Sequence, residues 1–132
     1  MTSVPALQTY RTFDVMTDTP GRCVIKLYQH LAVMMRRAKV DLESSSFESA
    51  VQHLDKARAV IEELMCSLDF DNGGDIAVNL GRIYGYLLRE LLAIGIKRDP
   101  APLGRLVTMV ENMLGAWVQA VAEAEGRVPH AT

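Results

Sequence analysis

The chain has 132 residues, a formal net charge of −2 at pH 7, and 49% hydrophobic but only 6% aromatic residues. This length suffices for one hydrophobic core, and the composition is typical of an aliphatic helical bundle. The weak negative charge predicts no general attraction to nucleic acid or to anionic lipid.

The only two cysteines, Cys23 and Cys66, are isolated in the sequence. They allow no disulfide framework, which favours a reducing, cytoplasmic compartment. The N-terminus lacks the pattern of a signal peptide, and no apolar run approaches the roughly 20 residues of a membrane-spanning helix. We therefore expect no direct membrane insertion.

Residues 1–18 read as an extended N-terminal arm. Tyr10 and Val15 make it too apolar for a purely solvated tail, so we expect it to dock on the rest of the chain. A first helix should then run from Pro20 to about Glu43. Thr19 is its expected N-cap, and Pro20 suits the first helical position, where an N–H is not needed.

Three more helices follow from apolar residues at helical spacing. Ser45 and Glu48 read as a capping box that opens the second helix. The third helix should cover residues 75–96, after a turn at 69–74. The fourth should start near Pro100, with Asp99 as its cap, and end at Gly126.

The expected fold is therefore all-α, an antiparallel up-down-up-down four-helix bundle over residues 19–126, because short turns join the helices. Residues 1–18 form the arm, and residues 127–132 are expected to be a frayed tail.

The sequence argues against an enzyme. It has three histidines and no Glu-x-x-His motif of the kind that di-iron bundles use. Cys23 and His30 lie seven residues apart, with no third residue to orient them as a catalytic pair. We expect no cofactor and no metal.

The third helix carries more apolar surface than its own core requires. Its apolar and small residues cover an arc of roughly 200°, whereas a core-facing helix needs about 100°. The first helix shows a similar excess. The residues of these two extra stripes are Ile25, Tyr28, Ala32 and Met35 on the first helix, and Val78, Gly81, Gly85, Leu92 and Ile96 on the third. An external cargo could cover them, but so could the arm or a second copy of the chain.

Gly81 and Gly85 each lower helix stability by about 1 kcal/mol relative to alanine. The close approach of another backbone, from a neighbouring helix or from a bound segment, would compensate for this cost.

Asn79 to Leu87, with the pattern Asn-Leu-x-x-Ile-Tyr-x-Tyr-Leu, resembles the third helix of the flagellin export chaperone family, FliS. Four further stretches agree in order: 10–20, Leu27-Tyr28, 57–69 and Ala116-Trp117. The chain departs from the family pattern at Gly21 and Arg22, and again at Gly81 and Gly85. The resemblance covers about Tyr10 to Ala120.

The resemblance implies a cytoplasmic chaperone that binds the disordered C-terminal segment of flagellin and prevents its premature polymerisation. It also implies delivery to the cytoplasmic domain of the export gate protein FlhA. The arm, with Tyr10 and Val15 as anchors and Pro20 as hinge, would then fold over part of the empty groove and move when cargo arrives. A staple of the first helix by the arm is the simpler alternative for Val15.

Two other functions remain open at this point. One is a regulatory bundle that sequesters a partner such as an anti-sigma factor. The other is a structural bundle that self-associates through its extra stripes. The free protein is expected to be a monomer or a weak homodimer.

Overall fold

The computed structural model describes residues 9–10 and 19–126. These residues contain four helices, α1 (Pro20–Glu43), α2 (Phe47–Cys66), α3 (Phe70–Lys97) and α4 (Ala101–Gly126). No strand occurs among them, so the all-α prediction is confirmed. The predicted tail at 127–132 lies outside the described residues.

Two ion pairs show how α1 and α4 run relative to each other. Arg22, near the start of α1, is 2.8 Å from Glu125 at the end of α4. Arg36, farther along α1, pairs with Glu111, which lies earlier in α4. The two helices are therefore antiparallel. Turns of three residues join all consecutive helices, which gives the expected up-down-up-down bundle.

The helices do not share the core equally. α1 packs extensively on both α2 and α4, whereas α3 packs on α2 and makes only slight contact with α4. Tyr28, Leu31 and Met35 of α1 are completely buried. Full burial of side chains of this size is worth about 1.5–3 kcal/mol each, so α1 is the centre of the fold. α3 is its most open helix.

The predicted bounds of the first helix, Pro20 and Glu43, and the predicted caps of the first and fourth helices are confirmed. Pro20 begins α1, and the hydroxyl oxygen of Thr19 accepts a hydrogen bond from the backbone N–H of Arg22 at 3.3 Å. At α4, Asp99 accepts a bond from the backbone N–H of Ala101 at 3.0 Å. These contacts satisfy amide groups that lack a partner inside the helix.

The capping box predicted for α2 is wrong. Ser45 takes a left-handed conformation with φ of 60°, so its side chain is not placed to cap the helix. Ser46 occupies the N-cap position and makes no side-chain capping bond.

α3 starts five residues earlier than predicted, at Phe70 rather than Asp75. Asp69 accounts for the early start because its carboxylate accepts a hydrogen bond from the backbone N–H of Asn72 at 3.2 Å. Gly74, with φ of 53° and ψ of −130°, interrupts the helical geometry after this first turn. The stretch predicted as a turn is therefore a helical turn followed by a kink.

A polar cluster ties the end of α1 to the start of α2. The Asp41 carboxylate accepts a hydrogen bond from the hydroxyl of Ser49 at 2.8 Å and lies 2.6 Å from Nδ1 of His53. The hydrogen bond from His53, with that from Ser49, holds the pKa of Asp41 below its ordinary value.

Thr9 and Tyr10 of the arm dock at the α2–α3 turn. Tyr10 forms an isolated antiparallel bridge with Leu68, and the backbone N–H of Asp69 donates to the carbonyl of Thr9 at 2.5 Å. Gly73 makes this approach possible, since a β carbon there would stand 2.7 Å from Cα of Thr9. Real Cβ contacts of that length do not occur without a shift of the backbone.

The Tyr10 side chain enters an aromatic cluster between α1, α3 and α4. Its ring centroid is 5.6 Å from that of Trp117, edge to face. The Tyr84 hydroxyl is hydrogen-bonded to the hydroxyls of both Tyr10 and Tyr28, the latter at 2.5 Å. Burial raises the pKa of all three phenols above the ordinary value of 10.0, so they are protonated at neutral pH.

Replacing Gly73 by alanine should displace Thr9 and Tyr10 while the bundle stays helical. Loss of the Tyr10 ring would expose Trp117, the only tryptophan, and shift its fluorescence emission to longer wavelength. Gly115→Ala is the matched control, because its β carbon would meet nothing within 4 Å. An unchanged spectrum in a helical Gly73→Ala protein would contradict this account of the arm.

Replacing Asp41 by asparagine should lower the Tm at pH 7. The depressed pKa means that Asp41 stabilises the fold above its unfolded-state pKa and loses this effect as pH falls through the folded-state value. The Tm difference from wild type should therefore shrink steadily as the pH falls below the ordinary pKa of an aspartate. Asp55→Asn, at an exposed pair, should change the Tm little across this pH range. A Tm difference that persisted undiminished in acid would contradict the assignment.

Candidate functional site

The extra stripe predicted on α3 forms a row along the outer side of the bundle. Val78, Leu92 and Ile96 are 40%, 52% and 74% exposed, and Gly81 and Gly85 are half-buried between them. We call these five residues the outer row. Exposure of three large aliphatic side chains on one helix is unusual unless another molecule covers them.

One end of the outer row borders a groove between α2 and α3. Leu92 and Ile96 face Val51 and Leu54 of α2 across it, Gly95 forms part of its wall, and its volume is about 170 Å³. Val51 is 51% exposed. Sequence reasoning missed Val51; the available signal was a β-branched residue lying off the inward stripe of α2.

A second hollow lies between the same two helices at their other end, near the α2–α3 turn. It is lined by apolar residues and by two aspartates: Met65, Cys66, Leu68, Asp69, the exposed Phe70 and Asp71. A β carbon at Gly81 would stand 3.8 Å from the Phe70 ring. The two hollows and the outer row define what we call the α2–α3 groove, which follows α3 from Phe70 to Ile96.

Gly85 lies in the middle of this groove and is open. A β carbon there would meet only the Nη1 atom of Arg89, at 3.4 Å. Neither Gly81 nor Gly85 is approached by the backbone of a neighbouring helix, so that explanation for their small size is wrong. Within the described residues, the glycine that admits another backbone is Gly73, against Thr9.

A second groove lies on the opposite side of α3, where α3 and α4 barely touch. Ile76 and Leu80 of α3 face Met113 and Trp117 of α4 across a nearly apolar groove of about 230 Å³. We call it the α3–α4 groove. Its Trp117 wall also carries the Tyr10 ring of the arm, so the docked arm closes one end.

The stripe predicted on α1 does not form an open surface. Tyr28, Ala32 and Met35 are 0%, 1% and 0% exposed, and Ile25 is half-buried. The prediction that these residues lie on an uncovered flank is wrong for the first three. The physical reason is that α1 has neighbours on both sides, α2 and α4, while Tyr28 also reaches Tyr84 of α3.

The arm residues are placed only in part. Tyr10 docks on the bundle, as an apolar arm residue is expected to do, and Pro20 occupies the first position of α1. Val15 lies outside the described residues. The role of Pro20 as a hinge stays a prediction.

Residues 9–10 and 19–126 contain neither a membrane-spanning helix nor a metal-binding cluster. None of the helices there has the length and apolarity to cross a bilayer. No three His, Cys, Asp or Glu side chains of that part of the chain are grouped so as to hold a metal ion.

Comparisons with known proteins agree with this architecture. Residues 3–124 match the family model "Flagellar protein FliS". The chain is 30% identical over 112 residues to the "Flagellar secretion chaperone FliS" of Bacillus subtilis (strain 168), covering 85% of this chain and 83% of that protein. It is 29% identical over 111 residues to the protein of the same description from Salmonella typhimurium (strain LT2), covering 83% of this chain and 82% of that one.

A solved structure described as "Crystal structure of flagellar chaperone from bacteria" superposes with a TM-score of 0.76 at 19% identity, covering 83% of this chain and 89% of that one. This likeness supports the fold alone. The family match spans nearly the whole chain, and membership of a chaperone family also confirms the prediction that the protein is not an enzyme. The chain belongs to the FliS family of flagellar secretion chaperones.

Proposed function

We propose that this protein binds the disordered C-terminal segment of flagellin in the cytoplasm, through the outer row and the two grooves beside α3. Binding keeps the segment from polymerising before export. The relatives described as flagellar secretion chaperones support this class of cargo.

The proposal depends on the incomplete burial of α3 by its neighbouring helices. α3 packs on α2 and meets α4 only slightly, so its outer row and both flanking grooves are left open. A flexible apolar segment has the chemistry to fill such a surface, because it can follow grooves of irregular shape. Met65 and Met113, one beside each groove, have unbranched side chains that can adapt to it.

The free energies of ordering and of side-chain burial favour a long contact over a single anchoring residue. A disordered segment loses about 2–5 kcal/mol in ordering when it binds. Covering the exposed part of a Leu or Ile side chain recovers about half of its full burial energy, on the order of 1 kcal/mol. Leu92, Ile96 and Val51 together barely offset the ordering cost. Useful affinity therefore requires the segment to occupy both grooves and to pass around α3.

We further propose that the loaded chaperone delivers its cargo to the cytoplasmic domain of FlhA. A bound segment must leave again without unfolding of the chaperone. Shallow, open grooves on the outside of the bundle suit this requirement, because release exposes no part of the core formed by α1.

The replacement of Gly85 by leucine tests the proposal. Removing glycine from a helix interior should stabilise the helix, and a β carbon there would meet only the end of the flexible Arg89 side chain, so the protein should fold. The new side chain would stand in the α2–α3 groove and block the close approach of cargo. We expect at least about a tenfold loss of affinity for a flagellin C-terminal peptide, equivalent to about 1.4 kcal/mol, measured by isothermal titration calorimetry.

Gly115→Leu is the matched control. It also replaces a helical glycine with open surroundings, but it lies on α4, outside both grooves as defined by their lining residues. The Gly115→Leu protein should bind the flagellin C-terminal peptide with the same affinity as the wild type. Equal affinities of the wild type and a folded Gly85→Leu protein would remove Gly85 from the binding site.

A further inference from the structure

The α2–α3 groove has an asymmetric distribution of charge along its two edges. On the α3 edge, Arg82 and Arg89 are both exposed and lie beside the outer row. Neither forms an ion pair with any residue in the part of the chain that the structure describes. The nearby acidic residue of α3, Glu90, points instead to α4, where it lies 3.8 Å from Arg105.

The α2 edge differs. Asp55 and Arg58 line the groove there and neutralise each other at 3.3 Å. Glu62, one helical turn beyond Arg58, is exposed and continues the same side of α2.

Near the α2–α3 turn the α3 side of the groove is acidic, because Asp69 and Asp71 line the hollow there and Asp75 is exposed. The cationic stretch of the α3 edge is therefore the part that carries Arg82 and Arg89, and it faces a neutral to acidic edge on α2.

Geometry makes the two arginines a pair. They are seven residues apart, so they lie on the same face of α3, two turns and about 10.5 Å from each other. Gly85 lies between them, and the guanidinium of Arg89 extends along the helix surface over it. With no side chain at Gly81 or Gly85, the backbone of a second helix could come close enough for its own side chains to reach both guanidinium groups.

We propose that the occupant of this groove is an amphipathic helical segment of the cargo with one acidic flank, whose carboxylates pair with Arg82 and Arg89. Its apolar side chains lie along the outer row. The asymmetry of the two edges fixes its orientation, with the acidic flank on the α3 side. This proposal rests on the proposed function and specifies the chemistry of the segment.

Edge charges act mainly on specificity and on the rate of association, and their effect is screened by salt. An exposed pair contributes about 0.2–1 kcal/mol. Reversal of both arginines should therefore weaken binding roughly tenfold at low ionic strength, and the difference should shrink at high salt.

The test titrates two peptides into the full chain at low and high salt. One is the C-terminal segment of the flagellin from the same genome. The other is the same segment with every Asp and Glu replaced by Asn or Gln. The variant is Arg82→Glu/Arg89→Glu, and circular dichroism checks that it is folded. Arg37→Glu is the control for Arg89→Glu, because Arg37 is an exposed arginine on α1, which borders neither groove.

The proposal predicts that the natural peptide binds the wild type and the Arg37→Glu protein equally, and the double variant roughly tenfold more weakly. The neutralised peptide should bind weakly to all of them, without dependence on Arg82 or Arg89. Equal binding of the natural peptide to the wild type and to the double variant would overturn this inference but leave the proposed function intact. Failure of the natural peptide to bind the wild type at all would overturn both.

Discussion

α3 is held by a neighbour on one side only, and the other features of the candidate site depend on this constraint. A helix in a four-helix bundle normally has two neighbours. α1 has them, and Tyr28, Ala32 and Met35 of its extra stripe are buried. α3 packs on α2 but barely on α4, and Val78, Leu92 and Ile96 on its outer face remain exposed. The bundle is stable because α1 supplies the centre, and α3 is left free to offer its outer face.

The arm partly compensates for the missing contact between α3 and α4. Tyr10 bridges the gap, with its ring on Trp117 and its hydroxyl on Tyr84. A buried hydroxyl without a partner costs about 1–3 kcal/mol. If Tyr10 withdrew, Tyr84 would still be hydrogen-bonded to Tyr28. Withdrawal of Tyr10 would therefore leave the Tyr84 hydroxyl with a hydrogen-bond partner in the core.

How much of this could be predicted from the sequence is clearest from α1 and α3. Helical periodicity predicted both helices and their wide apolar arcs, although α3 begins five residues before its predicted start. Periodicity does not distinguish an arc that neighbouring helices bury from one that stays exposed, because the number of neighbours of a helix is a tertiary property. Tyr28, Ala32 and Met35 are therefore core residues, while Leu92 and Ile96 are surface residues, although their patterns were alike.

Local backbone geometry explains the differences between prediction and structure at the start of α2 and at the α2–α3 turn. Ser45 has the residue type of a cap but takes a left-handed conformation, and Ser46 follows it as the cap. Gly73 lies in the stretch predicted as a turn at 69–74, yet its lack of a side chain makes room for Thr9 of the arm, from a distant part of the sequence. Glycine alone does not reveal whether it supplies a special φ, as at Gly74, or room for another chain, as at Gly73.

The proposed function requires that the outer face of α3 is uncovered in the free protein and becomes covered when the flagellin segment binds. Methyl NMR of the chain, labelled at Ile, Leu and Val, measures this most directly during titration with the flagellin C-terminal segment. We expect large shifts of the Val78, Leu92 and Ile96 methyl signals, and none for Val40, an exposed side chain on α1. Saturable binding that left the three α3 signals in place would contradict the proposal.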